Sequence, residues 1–178
     1  MSDMPKIIPE LRERFVVAAR QRVLEGEDHD VTIRQVARDC ETAVGTVYNY
    51  FPSKEALITA VMLEDWQACC ADMEADARGQ QTALAALEAI TVVLRRFTAR
   101  YAPTWRHYAS AKGSVGELGL RHRQVIEAIS GPVGHALDRF GACFDENLPE
   151  VLSELVLLAS RSDDGFRRIE PVLEKLLK

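Results

Sequence analysis

The sequence predicts an all-α chain: an N-terminal three-helix helix-turn-helix module followed by a larger C-terminal helical domain, about nine helices in all. Apolar residues recur three and four positions apart and hardly ever alternate, which is the period of helices and not of strands. Glycines and prolines punctuate these periodic runs, where helices stop. With 178 residues and 47% hydrophobic content, the chain is long enough to bury one small core and one larger one.

The first helix is expected over Pro9 to Glu25, with Leu11, Phe15, Ala19 and Val23 on one stripe and Gly26 as its stop. The acidic run Glu27 to Asp30 is read as a loop. Thr32 then caps a short helix that buries Ile33, Val36, Ala37 and Cys40, its hydroxyl accepting from an early amide. Glu41 and Thr42 make a turn. A second short helix, Ala43 to Tyr50, buries Val47 and Phe51 and turns Thr46, Asn49 and Tyr50 outward, and Pro52 ends it.

Ser53 caps a long fourth helix that reaches Arg78 before Gly79. A fifth, Thr82 to Tyr101, is expected to stop before Pro103, because the residue preceding proline is pushed out of helical geometry. A loop around Gly113 to Gly119 leads to a helix from Leu120 to Phe144, interrupted at Gly131-Pro132. The last two helices are Leu148 to Ser160 and Phe166 to Leu177. In LPEVLSELVLLA the apolar side chains cover more than half of the helix circumference. Such a surplus is met either by a larger internal core or by a partner.

Charge constrains function. The formal net charge is -5 and the pI about 5.4, so no global positive field announces a nucleic acid. Residues 1 to 56 hold 8 Lys+Arg against 10 Asp+Glu, a net of -2, and the remainder holds 14 against 17, a net of -3. Contact with DNA therefore requires a few local cations and neutral donors, doubled by a dimer.

No run approaches the roughly 18 apolar residues of a membrane span, and MSDMPKIIPELRERF lacks the basic start and apolar run of a signal peptide. A cytoplasmic protein with no membrane partner is expected. Cys40, Cys69, Cys70 and Cys143 have no metal-site spacing and read as reduced, small core residues. His107, His122 and His135 form no ligand pair. No metal, no cofactor and no catalytic constellation are expected, hence no enzyme.

The densest signal is TIRQVARDCETAVGTVYNYFPSK, residues 32 to 54: two short helices, a tight turn and an exposed polar aromatic end. A helix-turn-helix lays its second helix in the major groove while the first crosses the backbone. Arg34 can fork onto guanine or onto a phosphate. Tyr48 and Tyr50 hydroxyls can donate to phosphates, although packing of Tyr48 in the small core is the bland alternative.

From Arg12 to Val61, above all VAR at 36 to 38 and GTVYNYFPSKEAL at 45 to 57, the chain resembles the TetR family of transcriptional regulators. The resemblance implies a DNA-binding domain over residues 1–54 and an effector-binding and dimerisation domain over residues 55–178. It implies operator contacts by Thr32, Arg34, Ala43, Val44, Gly45, Thr46, Tyr48, Asn49, Tyr50 and Lys54. It departs from the family at Glu41, where glycine is usual, so that a left-handed backbone there would cost about 1 kcal/mol. Ala43 and Val44 stand where polar residues are frequent and suit thymine methyl groups.

A ligand-switched homodimeric repressor is the implied mechanism, its recognition helices about 34–36 Å apart on two half-sites. The effector is an unknown small molecule. Candidate pocket residues are Trp66, Cys69, Phe97, Tyr101, Trp105, Tyr108 and His122, though each such aromatic is more often core than ligand wall. The dimer face is expected to use Val151, Leu155, Leu158, Ile169, Leu173 and Leu176. The competing reading is a helical adaptor that uses the helix-turn-helix to bind protein partners, motivated by the acidic balance of residues 1 to 56.

Overall fold

The structure is a computed structural model that describes residues 9–25, 31–109, 115–142 and 145–177, with side chains for all but Pro9, Glu25 and residues 103–121. The run Glu27 to Asp30, Cys143, Phe144 and the side chains of Trp105, His107 and Tyr108 lie outside the described parts. The described residues form eight helices: α1 (Pro9–Glu25), α2 (Ile33–Asp39), α3 (Val44–Tyr50), α4 (Lys54–Arg78), α5 (Ala83–Ala109), α6 (Val115–Arg139), α7 (Leu148–Ala159) and α8 (Gly165–Leu176). No strand occurs among them, and no described helix is long and apolar enough to cross a membrane.

The eight described helices come close to the nine expected, the difference being the interruption expected at Gly131-Pro132, which is absent. α5 runs through Pro103 to Ala109, and α6 starts at Val115 and passes Gly131-Pro132 without interruption. Proline fixes φ near the helical value and forfeits one hydrogen bond. In α6 that loss is outweighed by packing, since Ile129, Val133 and Leu137 along the same stripe are wholly buried.

Two compact units divide between Trp66 and Gln67, inside α4. The expected division at 54/55 falls at the start of that helix. In the first unit α1 packs on α2 and α2 on α3, around Phe15, Val16, Val36, Val47, Leu57 and Val61. The first turns of α4 are tied to α1 by charge. Arg20 Nε donates to Asp65 Oδ1 at 2.6 Å and its Nη2 to Glu64 Oε2 at 3.0 Å, and Arg12 reaches Glu64 Oε1 at 3.3 Å. Asp65 is buried, so this pairing is needed to hold a carboxylate there.

In the second unit α6 packs on α7 and α5, and α8 on α7 and α5, around Leu87, Ile90, Leu94, Tyr101, Ile129, Leu152 and Leu173. The α6 to α7 contact includes a polar pair in which Ser153 Oγ donates to Pro149 O at 2.6 Å and can accept from Ser130 Oγ at 3.2 Å. Gly165 makes the tight passage into α8 possible. A Cβ at that position would collide with the Ala159 carbonyl.

Candidate nucleic-acid interface

The site is built on α2, the turn at residues 40–43 and α3. Thr32 is the N-cap of α2: the Gln35 amide donates to Thr32 Oγ1 at 3.2 Å, and the Thr32 amide donates to Gln35 Oε1 at 2.9 Å. This reciprocal capping box satisfies two otherwise orphaned donors. The Thr-x-x-Gln spacing at 32 to 35 is visible in the sequence, and the partner half, Gln35, was missed there. Thr32 therefore holds the helix start before it can hold anything else.

α2 ends through Glu41. Its φ is 53°, the one positive value at a non-glycine residue among those described. The Thr42 amide donates to Ala37 O at 2.9 Å and the Glu41 amide to Arg38 O at 3.0 Å, closing the last carbonyls of α2 in the left-handed cap that normally takes glycine. The expected strained backbone at Glu41 is what the turn adopts.

α3 is two turns long, so its faces separate sharply. Val47 is fully buried, and Tyr50, three residues on, shares its face. The Tyr50 ring meets Phe15 edge-on with centroids 5.5 Å apart. The outward orientation expected for Tyr50 is thus corrected: Tyr48, 51% exposed, is the outward tyrosine. Ala43, Gly45, Tyr48 and Asn49 are exposed, while Val44, Thr46 and Lys54 are half-buried.

Gly45 has no internal reason to be glycine. A Cβ there would meet nothing within 4 Å, and its φ is not positive. That contrasts with Gly165, where the fold itself excludes a side chain. The outer face of α3 is also uncharged, since VGTVYNY holds no ionisable carboxylate or amine. It offers a phenol, an amide, a hydroxyl and an open stretch of backbone.

The cations around this face are distributed unevenly. Arg22 forks onto Asp39, with Nη2 to Oδ1 at 2.7 Å and a second contact through Nε, and its guanidinium holds the Asp39 carboxyl below the usual carboxylate range. Arg14 donates to Cys40 O at 2.9 Å, and Arg12 lies over the Phe51 ring, 5.4 Å from its centroid. Arg34 and Arg38 are exposed on α2.

Residues 17–61 match the family model described as bacterial regulatory proteins, tetR family. Over this stretch the chain is similar to the TetR family. Over 71 residues it is 34% identical to the HTH-type transcriptional regulator UidR of Escherichia coli strain K12, a match spanning 40% of this chain and 36% of that protein. Two crystal structures share the fold. One is a transcriptional regulator from Cytophaga hutchinsonii, with TM-score 0.65, 16% identity and 93% of each chain covered. The other is a TetR-family transcriptional regulator from Streptomyces coelicolor, with TM-score 0.57, 21% identity, and 96% of this chain and 97% of that one covered.

The remaining expected positions are scattered. Phe97 and Tyr101 are buried, their rings 5.0 Å apart, and Cys69 is buried with its thiol pushed up to about 12 by burial. These three are core residues on their own elements. Trp66 is half-buried. His122, expected at a ligand wall, is exposed and pairs with Glu154 at 2.8 Å. The one groove described, about 600 Å³ between α4 and α6 and lined by residues such as Glu74, Arg78, Pro132 and His135, contains none of the expected ligand residues.

On α7 and α8, Val151 is 54% exposed and Leu158 60%, with Leu176 also exposed and Leu155 and Ile169 half-buried. Leu173, expected at the dimer face, is instead fully buried in the protomer's own core. It lies seven residues after Phe166, itself buried, and so belongs to the inward stripe of α8. Val172, 52% exposed, takes the outward place that the sequence reading gave to Leu173.

Proposed function

We propose that this chain is a DNA-binding transcriptional regulator, a ligand-responsive repressor that grips a two-half-site operator as a homodimer in the cytoplasm. The observation that carries the reading is the outer face of α3: Tyr48 and Asn49 exposed beside a glycine that nothing inside the protein requires. A short helix with uncharged donors and an open backbone suits close approach to a duplex, where phosphates accept from hydroxyls and amides read base edges. The match of residues 17–61 to the TetR family supports the same reading, and UidR is named as a transcriptional regulator.

The homodimer is supported by the apolar surface left on α7 and α8, where Val151, Leu158, Val172 and Leu176 lie exposed. Exposed side chains of this kind, grouped on two adjacent helices, suit protein contact. The acidic balance that motivates an adaptor role is unchanged by pairing, because the contact of Asp39 with Arg22 uses one charge of each sign.

The test is a shift assay at fixed salt with DNA from upstream of the protein's own coding region. Tyr48→Ala and Asn49→Ala are each expected to weaken binding by about tenfold, the worth of one or two charge-assisted hydrogen bonds, with helicity unchanged by circular dichroism. Wild-type protein that binds no DNA at any salt, yet captures a defined protein partner through α3, would establish the adaptor instead.

A further inference from the structure

We infer that Arg34 and Arg38 act together as the phosphate clamp of this site, so that salt-dependent affinity resides on α2 while α3 reads bases with uncharged groups. The inference rests on the DNA-binding reading of the site and gives a role to Arg38, which stands in the VAR run at 36 to 38 but is not among the operator contacts that the resemblance implies.

The argument is one of elimination among cations. In the described part of the first unit, Arg12, Arg20 and Arg22 are held by Glu64, Asp65 and Asp39, and Arg14 by the Cys40 carbonyl, while Lys54 is half-buried and engaged at the start of α4. Those four guanidinium groups stitch α1 to α2 and α4. Arg34 and Arg38 have no such partner among the described residues, and both are exposed. They stand four positions apart on one face of α2, about 6 Å along its axis. Two like charges at that spacing destabilise a helix, and an acidic chain offers many carboxylates that might have relieved them.

The nearest carboxylate on the same helix is already engaged. Asp39 follows Arg38 directly, yet its two oxygens are taken by the fork of Arg22 on α1. Glu41 lies exposed in the turn. What is left is a cationic doublet on the helix that crosses the backbone of a bound duplex, beside an α3 that carries no charge. Arginine at both positions suits phosphate, because its fork donates to two oxygens at once.

The separation is measurable, since each phosphate neutralised contributes about 0.9 to the slope of log K against log salt. The full-length protein and the Arg34→Gln, Arg38→Gln and double variants are titrated against the upstream DNA and a scrambled duplex from 50 to 200 mM KCl, values chosen to span roughly the usual range. Each single variant is expected to lower the slope by about 0.9 per bound protomer and the double by about 1.8. The preference for the upstream DNA over the scrambled duplex should hold within about twofold, as expected when only phosphate contacts are lost.

A slope unchanged in Arg38→Gln, in a protein whose wild type binds DNA, overturns the clamp and leaves the DNA-binding reading standing. Loss of discrimination with the slope intact assigns these arginines to bases and overturns it equally. A wild type without affinity for either duplex removes both readings. Circular dichroism on each variant guards against misfolding, and Arg38→Lys, which keeps the charge, should restore most of the slope.

Discussion

A surface that the core does not use stands on α3 of the first unit and another on α7 and α8 of the second, and the two differ in chemistry. On α3 the surplus face is polar and uncharged, with Tyr48, Asn49 and a bare Gly45. On α7 and α8 it is apolar, with Val151, Leu158, Val172 and Leu176. Exposed apolar area gains by removal from water in proportion to its size and asks little of direction. Exposed donors on a narrow helix gain only where acceptors are placed to meet them. The first kind of surface suits a second protein chain and the second kind suits a polymer with a regular array of phosphates and base edges.

The largest effect is expected from charging the apolar face. Val151→Glu with Leu158→Glu replaces two side chains that are more than half exposed, so the protomer core is left intact. Sedimentation should report a monomer, and affinity for a two-half-site operator should drop by about 10²- to 10⁴-fold, the range lost when two linked sites become independent. Binding to an isolated half-site should survive. A variant that remains dimeric would show that the apolar face serves another purpose, and the contrast between the two surfaces would lose half its meaning.

The comparison also explains what was legible in the sequence. Along residues 32 to 54 local rules decide the structure: a capping residue, a two-turn helix and a left-handed turn residue are each fixed within a few positions. The strain at Glu41 could be anticipated from a single substitution of the usual glycine. Failure came where a choice depended on packing. Which of Tyr48 and Tyr50 faces Phe15 turns on its spacing from Val47, because Tyr50, three residues on, shares the buried face and Tyr48 does not.

Long-range packing hid the rest. Pro132 lies inside α6 because buried neighbours hold that helix together, and propensity alone argued for a break. Leu173 was assigned outward and Val172 overlooked, since a leucine-rich amphipathic helix leaves its rotation ambiguous by one residue until its neighbours are known. Arg38 could not be separated from the other arginines before Asp39 was seen engaged with Arg22.

A second, smaller effect tests the polar face from the side of its backbone. Gly45→Ala adds a methyl group where nothing lies within 4 Å, and alanine is the better helix former by up to about 1 kcal/mol. The variant should therefore melt at a higher temperature. If a duplex approaches the backbone at this point, the same methyl group intrudes, and affinity should fall by about tenfold or more, equivalent to the 1–3 kcal/mol cost of overpacking at a close contact. Opposite signs in stability and binding would separate a glycine kept for a partner from one kept for the fold. A variant that is more stable and binds as well as wild type would remove Gly45 from the interface.

The smallest effect concerns the turn that sets α3 against α2. Glu41 holds φ at 53°, and a side chain with a Cβ is disfavoured there by about 1 kcal/mol relative to glycine. Its backbone hydrogen bonds, Thr42 N–H to Ala37 O and Glu41 N–H to Arg38 O, involve no side chain, so Glu41→Gly keeps the cap and relieves the strain. Glycine also widens the unfolded ensemble, which offsets part of the gain. Hydrogen exchange at the α2 and α3 amides should slow by a factor of a few, with the amides of α7 and α8 unaffected. Removing a carboxylate one turn from Arg38 should strengthen DNA binding at low salt and leave it nearly unchanged at high salt, because exposed charges are screened over about 10 Å at 0.1 M. If protection falls instead, the Glu41 side chain makes a contact that stabilises the turn, and the strain belongs to the fold and not to the residue.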